Sequence, residues 1–246
     1  MDNMVKVICI IQARLTSSRL PNKVIMSLGS SGKSVIEHIL ERLSQVKAIC
    51  RIVVAIPDTK GNDKLADFFD KKGIEYYRGS ESNVLKRYCD GIRKYNPDYV
   101  VRATSDNPLV DFENLDNLIH QALSENADYA HYSDCPVGLG IEICKASSLL
   151  YAEEHVKQDF EKEHVCPYLY LNKNIFKNID VSFPFDFGKN IRFTVDTPED
   201  YEFVNIIYNN MCLERPIQNA QIKAYLDANP NLISINNKIH QKKLGE

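Results

Sequence analysis

No stretch of this 246-residue chain is apolar for long enough to cross a bilayer, which takes about 20 residues. The opening MDNMVKVICIIQAR has too short an apolar run, and no small-residue cleavage site, for a secretory signal. The seven cysteines (9, 50, 89, 135, 144, 166 and 212) contain no Cys-x-x-Cys pair. No His or Cys set has metal-ligand spacing either, so reduced thiols are expected rather than a zinc site or a disulfide framework. Excess charge is missing too: Lys and Arg number 30, Asp and Glu 33, a formal charge of −3. That argues against a nucleic-acid coat or an anionic-membrane binder, and any anion site must be local. With no internal repeat, these absences leave a soluble, cytoplasmic globular protein.

What is present is core material and a regular rhythm. Hydrophobic residues make up 44% of the chain, enough for one large α/β domain. Val5–Ile11 reads as a strand buried on both faces. Ser34 and Glu37 form a capping-box pattern, and Val35, Ile36, Ile39, Leu40, Leu43 and Val46 follow at helical spacing. Strands are expected at Arg51–Ile56, Ile74–Tyr77, Asp98–Ala103 and Asp128–Tyr132, and helices at Lys64–Lys72, Ser80–Tyr95 and Asn114–Ser124. The alternation predicts a Rossmann-like, doubly wound, mixed but mostly parallel sheet. Between 133 and 190 the rhythm breaks into an excursion that would form an acceptor side and a dimer contact. It resumes with a strand at Ile191–Val195, then a helix opened by Thr197-Pro198-Glu199-Asp200. Residues 1–228 would form one domain, and 229–246 a loosely held polar tail.

The chemistry concentrates after the first strand, in QARLTSSRLPNK (12–23). Its cations Arg14, Arg19 and Lys23, with small hydroxyl residues among them, suit a loop cradling a polyphosphate at the carboxyl end of a buried strand. Two acids, Asp106 and Asp196, stand where strands should end. Together they suit Mg²⁺, which takes one or two protein carboxylates and keeps waters. Taken singly, Asp196 reads equally as a helix-capping residue and Asp106 as a turn aspartate before Asn-Pro. Gly29-Ser-Ser-Gly32-Lys33-Ser34 imitates a P-loop, but Ser27 stands where that pattern needs glycine, so a turn leading to the Ser34 cap is expected. Arg87, in the segment from Gly79 to Tyr88, fits ordinary helix capping or a place beside the base or ribose.

The motifs IIQARLTSSRLPNKV, YRGSESNVLKRY, VRATSDNPLVD, VGLGIEI, EKEHVCPYLY and FTVDTPEDYEF occur in this order over residues 5 to 208. They resemble the cytidylyltransferase family that activates acidic sugars, the CMP-Kdo and CMP-sialate synthetase group. The match is closest to the SpsF-like spore-coat polysaccharide branch. The resemblance implies a nucleotide-diphospho-sugar-transferase type of fold, usually dimeric. It implies a reaction of a nucleoside triphosphate, CTP above all, with a small acidic or phosphorylated sugar-type acceptor, releasing pyrophosphate. By carry-over Arg14, Ser18, Arg19 and Lys23 would hold the triphosphate, and Asp106 and Asp196 the Mg²⁺. Arg14, Lys23, Asp106 and Asp196 form the implied catalytic set. Gln12, Ala13, Arg102, Thr104 and Ser105 would line the nucleotide, with Arg78 and Arg87 near it; Glu142, Glu163 and His164 would face the acceptor.

The chain departs from the family pattern at Asn22 (usually Gly), Lys86 (Asp), Ser105 and Asn107 (Gly and Cys), and Gly140 (Asp). The Lys86 and Gly140 changes each remove a carboxylate and bear on acceptor and base choice. Two other readings stay open: a sugar-nucleotide-dependent glycosyltransferase, disfavoured because no Asp-x-Asp occurs, and a non-catalytic nucleotide-binding protein.

Overall fold

The computed structural model describes residues 5–211 and 215–241. Cys212 and the last five residues of the C-terminal segment therefore lie outside the described residues. Seven strands form a single sheet: β1 (Val7–Gln12), β2 (Arg51–Pro57), β3 (Tyr76–Gly79), β4 (Tyr99–Thr104), β5 (Tyr129–Ser133), β6 (Glu142–Lys145) and β7 (Asn178–Ser182). Their order is β3-β2-β1-β4-β6-β5-β7, and only β6 runs antiparallel to its neighbours. The mixed, mostly parallel sheet is thus as the alternating pattern predicts.

β1 reads as unbroken apolar sequence because helices cover both of its faces. Cys9 and Ile11, with Val54, Ile56, Val101 and Ala103, pack in one apolar cluster. The cover there comes from α1 (Val35–Leu43), α2 (Asp63–Lys72), α4 (Leu115–Ser124), α8 (Pro198–Met211) and α9 (Asn219–Ala228). Ile8 and Ile10, with Val53, Ala55 and Val100, pack on the opposite face. There α3 (Val84–Tyr95), α5 (Ala146–His155) and α7 (Pro167–Leu171) provide the cover, and α6 (Asp159–His164) packs against α3. At roughly 25 cal/mol per Å² of apolar surface removed from water, the two clusters supply the main force holding the layers together. The Ser34–Glu37 capping box is present at the start of α1.

The structure corrects several boundaries. Helix α3 begins at Val84 because Asn83, not Ser80, accepts the first free amide, from Lys86 N at 2.8 Å. Helix α1 stops at Leu43, leaving Val46 in the following turn. Residues 191–195 make no strand; a lone bridge joins Arg192 to Val137. Their amides go to loops instead, Phe193 N to Val137 O and Val195 N to Asp106 O, both at 2.7 Å. The expected excursion also returns to the core, since β6 inserts between β4 and β5. The polar segment after Asn229 is not loose through residue 241: it forms a 3-10 turn over Pro230–Ile235, and Asn236 is buried. Among the described cysteines, all free thiols, Cys9, Cys89, Cys144 and Cys166 are buried, Cys135 is half-buried and Cys50 exposed. No helix among the described residues is long and apolar enough to cross a membrane.

Candidate active site

The loop leaving β1 is anchored by its apolar residues and presents its polar ones. Ala13 and Leu15 are buried, and Leu15 N donates to Asn62 Oδ1 at 3.0 Å. Between and beyond them Arg14, Ser18 and Arg19 face solvent. The loop closes through Asn22, which has φ 60° and caps a single 3-10 turn over Lys23–Ile25. That left-handed conformation accounts for the departure at this position, because asparagine tolerates it at modest cost where most residues do not.

Lys23 is aimed inward and buried. Its Nζ donates to Asp106 Oδ2 at 2.9 Å and to Asp196 Oδ1 at 2.8 Å. Arg19 approaches the same Asp196 oxygen at 3.2 Å, and Arg192 Nη2 donates to Asp196 Oδ2 at 3.3 Å. Burial works to raise the Asp106 carboxyl, but the Lys23 ammonium and a hydrogen bond with Thr104 outweigh it and hold it below the usual carboxylate range. Burial likewise works to lower Lys23, and the two aspartates overcome it, so the ammonium is held charged.

The capping role open to Asp196 in the sequence belongs to its neighbours. The backbone N–H of Asp200 donates to Thr197 Oγ1 at 3.3 Å, while the Asp200 Oδ2 accepts from the amides of Asp196 and Thr197 at 3.1 and 3.2 Å. Asp196 is thereby left to the cations. Sequence reasoning missed Arg192, Asp200 and Asn236. Arg192 Nε lies 2.9 Å from Asp200 Oδ1, and Asn236 Nδ2 donates to that same oxygen at 3.0 Å. The spacing Arg192-x₃-Asp196-x₃-Asp200 was the available signal.

A second polar group crosses the sheet beside this one. Arg102 on β4 donates to Glu142 on β6 and, through Nη2, to Gln12 Oε1 at 3.2 Å. Tyr129 Oη donates to the other Glu142 oxygen at 2.7 Å. Thr104 ends β4 alongside, and the buried Ser105 that follows donates its N–H to Gln12 O at 3.0 Å. His164 is half-buried, and burial foremost lowers its pKa; Glu163 and Glu142 work the other way and Arg102 adds to the lowering. Glu163 itself is exposed. His164 precedes a tight turn in which Cys166 N donates to His164 O at 2.9 Å, forcing Val165 to φ 72°. A cavity of about 380 Å³ adjoins Glu142, lined also by Tyr129, His131, Tyr170, Lys173 and Asp180.

Other expected residues have partners of their own. Arg78 pairs with Asp63 at 2.7 Å on the exposed side of α2. Arg87 is buried and braces the Ser80 carbonyl, with its Nε unpartnered among the described residues. Lys86 lies on the solvent face of α3, bonded to Asp90 at 2.8 Å. At Gly140 a Cβ would meet nothing nearer than Cys135 Sγ at 3.5 Å, so the missing carboxylate is a chemical change and not a steric one.

A mostly parallel sheet carrying cations and paired carboxylates past the ends of β1 and β4 places the protein in the nucleotidyltransferase class of Rossmann-like folds. Within that class the chain belongs to the cytidylyltransferase family, whose model matches residues 8–227. It is 34% identical over 242 residues to an uncharacterized protein of Methanocaldococcus jannaschii, covering 98% of each chain. It is 30% identical over 231 residues to the spore coat polysaccharide biosynthesis protein SpsF of Bacillus subtilis, covering 92% of this chain and 95% of that one. A solved cytidylyltransferase from Leptospira borgpetersenii superposes with a TM-score of 0.87 at 29% identity, over 96% of this chain and 100% of the other.

Proposed function

We propose that the protein transfers a cytidylyl group from CTP to a small acidic or phosphorylated sugar-type acceptor, as a step in surface polysaccharide or glycoconjugate synthesis. The observation that carries this reading is the meeting of Asp106 and Asp196 on one cation position at the mouth of the cationic loop. An acceptor oxygen would attack the α-phosphorus, forming a new P–O bond as the bond to the β-phosphate oxygen breaks and pyrophosphate departs. Such transfer depends chiefly on positioning and charge neutralisation. Arg14, Ser18 and Arg19 would hold the β- and γ-phosphates, and Lys23 would take up charge on the leaving pyrophosphate. Gln12, Thr104 and Ser105 would sit along the nucleotide.

Mg²⁺ fits the two carboxylates, since a single nitrogen already lies within 2.9 Å of an oxygen from each. No group of three or more His, Cys, Asp or Glu among the described residues could hold a metal, which suits an ion that keeps waters and takes phosphate oxygens. Bound there, Mg²⁺ would neutralise phosphate charge and polarise the α-phosphorus. The acceptor would occupy the cavity beside Glu142, with the Tyr129 and Tyr170 rings against its carbon face and Lys173 toward its anionic group. His164 would stand at the inner end. We assign the protein to the cytoplasm and expect it to act as a homodimer.

Pyrophosphate release is the test, measured with each of the four common nucleoside triphosphates against ulosonic acids and sugar phosphates. CTP-dependent release with one acceptor class supports the reading. Transfer from a sugar nucleotide without pyrophosphate would replace it with a glycosyltransferase.

A further inference from the structure

Lys23 occupies the position a divalent cation would need. Its ammonium touches one oxygen of each aspartate, and both contacts are at full hydrogen-bonding distance. Around them the charges already balance: Asp106, Asp196 and Asp200 face Lys23, Arg19 and Arg192. A bare divalent ion entering this group would have to displace a buried ammonium that is bonded to both carboxylates. A triphosphate changes that balance, because it brings several negative oxygens to the same loop mouth.

We infer that Lys23 is a placeholder cation, so that the metal enters only together with the nucleotide, whose phosphates draw Lys23 and Arg19 off the carboxylates. The inference rests on the assignment of Asp106 and Asp196 as metal ligands made above. The local structure suits such an exchange. The Lys23 backbone is fixed in its 3-10 turn, with Met26 N donating to Lys23 O at 3.2 Å. The flexible four-carbon stem can therefore re-aim the ammonium by side-chain rotation alone. Arg19 has 41% of its side chain exposed, so its guanidinium has open solvent to turn into. Asp196 would not collapse when they go, since Arg192 keeps its second oxygen. A lysine in this arrangement serves twice: it pairs with two close carboxylates before substrate arrives, and it grips phosphate afterwards.

The test is Mn²⁺ binding followed by electron paramagnetic resonance, without turnover, in the presence and absence of α,β-methylene-CTP. Wild-type protein should bind Mn²⁺ alone at least about 100-fold more weakly than it binds Mn²⁺ with the analogue. Lys23→Met, close in volume and uncharged, should bind Mn²⁺ alone at least about tenfold more tightly than wild type. Lys23→Gln should do the same, and circular dichroism melts identify which variants are folded. Equal Mn²⁺ affinity in wild type with and without the analogue would overturn the placeholder role while leaving the metal site standing. So would Lys23 variants that gain no affinity. Failure of every form to bind Mn²⁺, even with the analogue, would overturn the metal assignment and the inference together.

Discussion

Gly138 lies against the backbone of Thr194, so closely that a Cβ at residue 138 would stand 2.3 Å from the Thr194 nitrogen. Its φ of 97° is a further conformation that only glycine adopts readily. This close approach fixes where residues 191–195 can run beside Gly138, and Asp196 follows directly from them. Gly138→Ala should therefore damage activity as well as stability. The expected result is a lowered melting temperature and at least a tenfold loss of pyrophosphate-forming turnover in the fraction that remains folded. Unchanged turnover would separate Gly138 from the site.

Asp196→Asn keeps the shape of the side chain but removes one of the two carboxylate charges and leaves one accepting oxygen where Lys23, Arg19 and Arg192 had two. It should fold normally and lose turnover on the order of 10²–10³, the usual effect of removing one preorganised charge from a transition state. Steady-state kinetics beside a thermal melt checks both halves.

Asp200 should behave differently from Asp196. It is fully buried and holds Arg192, two loop amides and Asn236. Asp200→Ala would leave the buried Arg192 without its main partner, a loss of about 3–5 kcal/mol. Urea denaturation should show that loss, with activity falling because the fold is lost.

Replacing Lys86 by aspartate restores the family pattern at that position but changes only an exposed i, i+4 pair. Such pairs are worth about 0.3–0.5 kcal/mol. Lys86→Asp should leave both the melting temperature and the nucleotide preference unaltered; a switch in nucleotide preference would contradict the position of α3.

His38 gives a pH dependence with a definite sign. The ring is buried, its Nε2–H donates to Leu28 O at 3.1 Å, and it lies 4.0 Å from the Tyr208 ring. Burial is the main cause that lowers its pKa from 6.5; the Leu28 carbonyl and Glu41 oppose it, and Lys33 and Arg42 add to it. The unfolded chain therefore takes up the proton first. His38 should cost nothing above the unfolded pKa of about 6.5, and stability should fall as pH drops below it, until the folded ring also protonates. Melting curves from pH 8 to 5.5 should show this decline in wild type, and His38→Gln should flatten it.

Much of this was legible in the sequence because it depends on neighbours along the chain. The apolar run of β1 forces a strand covered on both faces, the Ser34–Glu37 pair caps α1, and alternation of strand and helix forces a mostly parallel sheet. The clustering of Arg14, Arg19 and Lys23 behind the first strand was equally local. Where the sequence reading went astray, as at Ile191–Val195 or with β6, β-type residues were satisfied by partners that the local pattern does not name.

What the sequence by itself determined is the class of fold, the presence of a cationic loop after β1, and two aspartates, Asp106 and Asp196, suited to a cation. Only the tertiary structure decided that Lys23 would lie between those aspartates, across 83 and 173 residues of chain. It also decided that Arg102 would meet Glu142, and that Lys86 would point to solvent. The physical reason is the same in each case: propensity and capping act over a turn or two of chain. Charge pairing and close backbone approach act through space, and only the packed sheet fixes which distant residues share it.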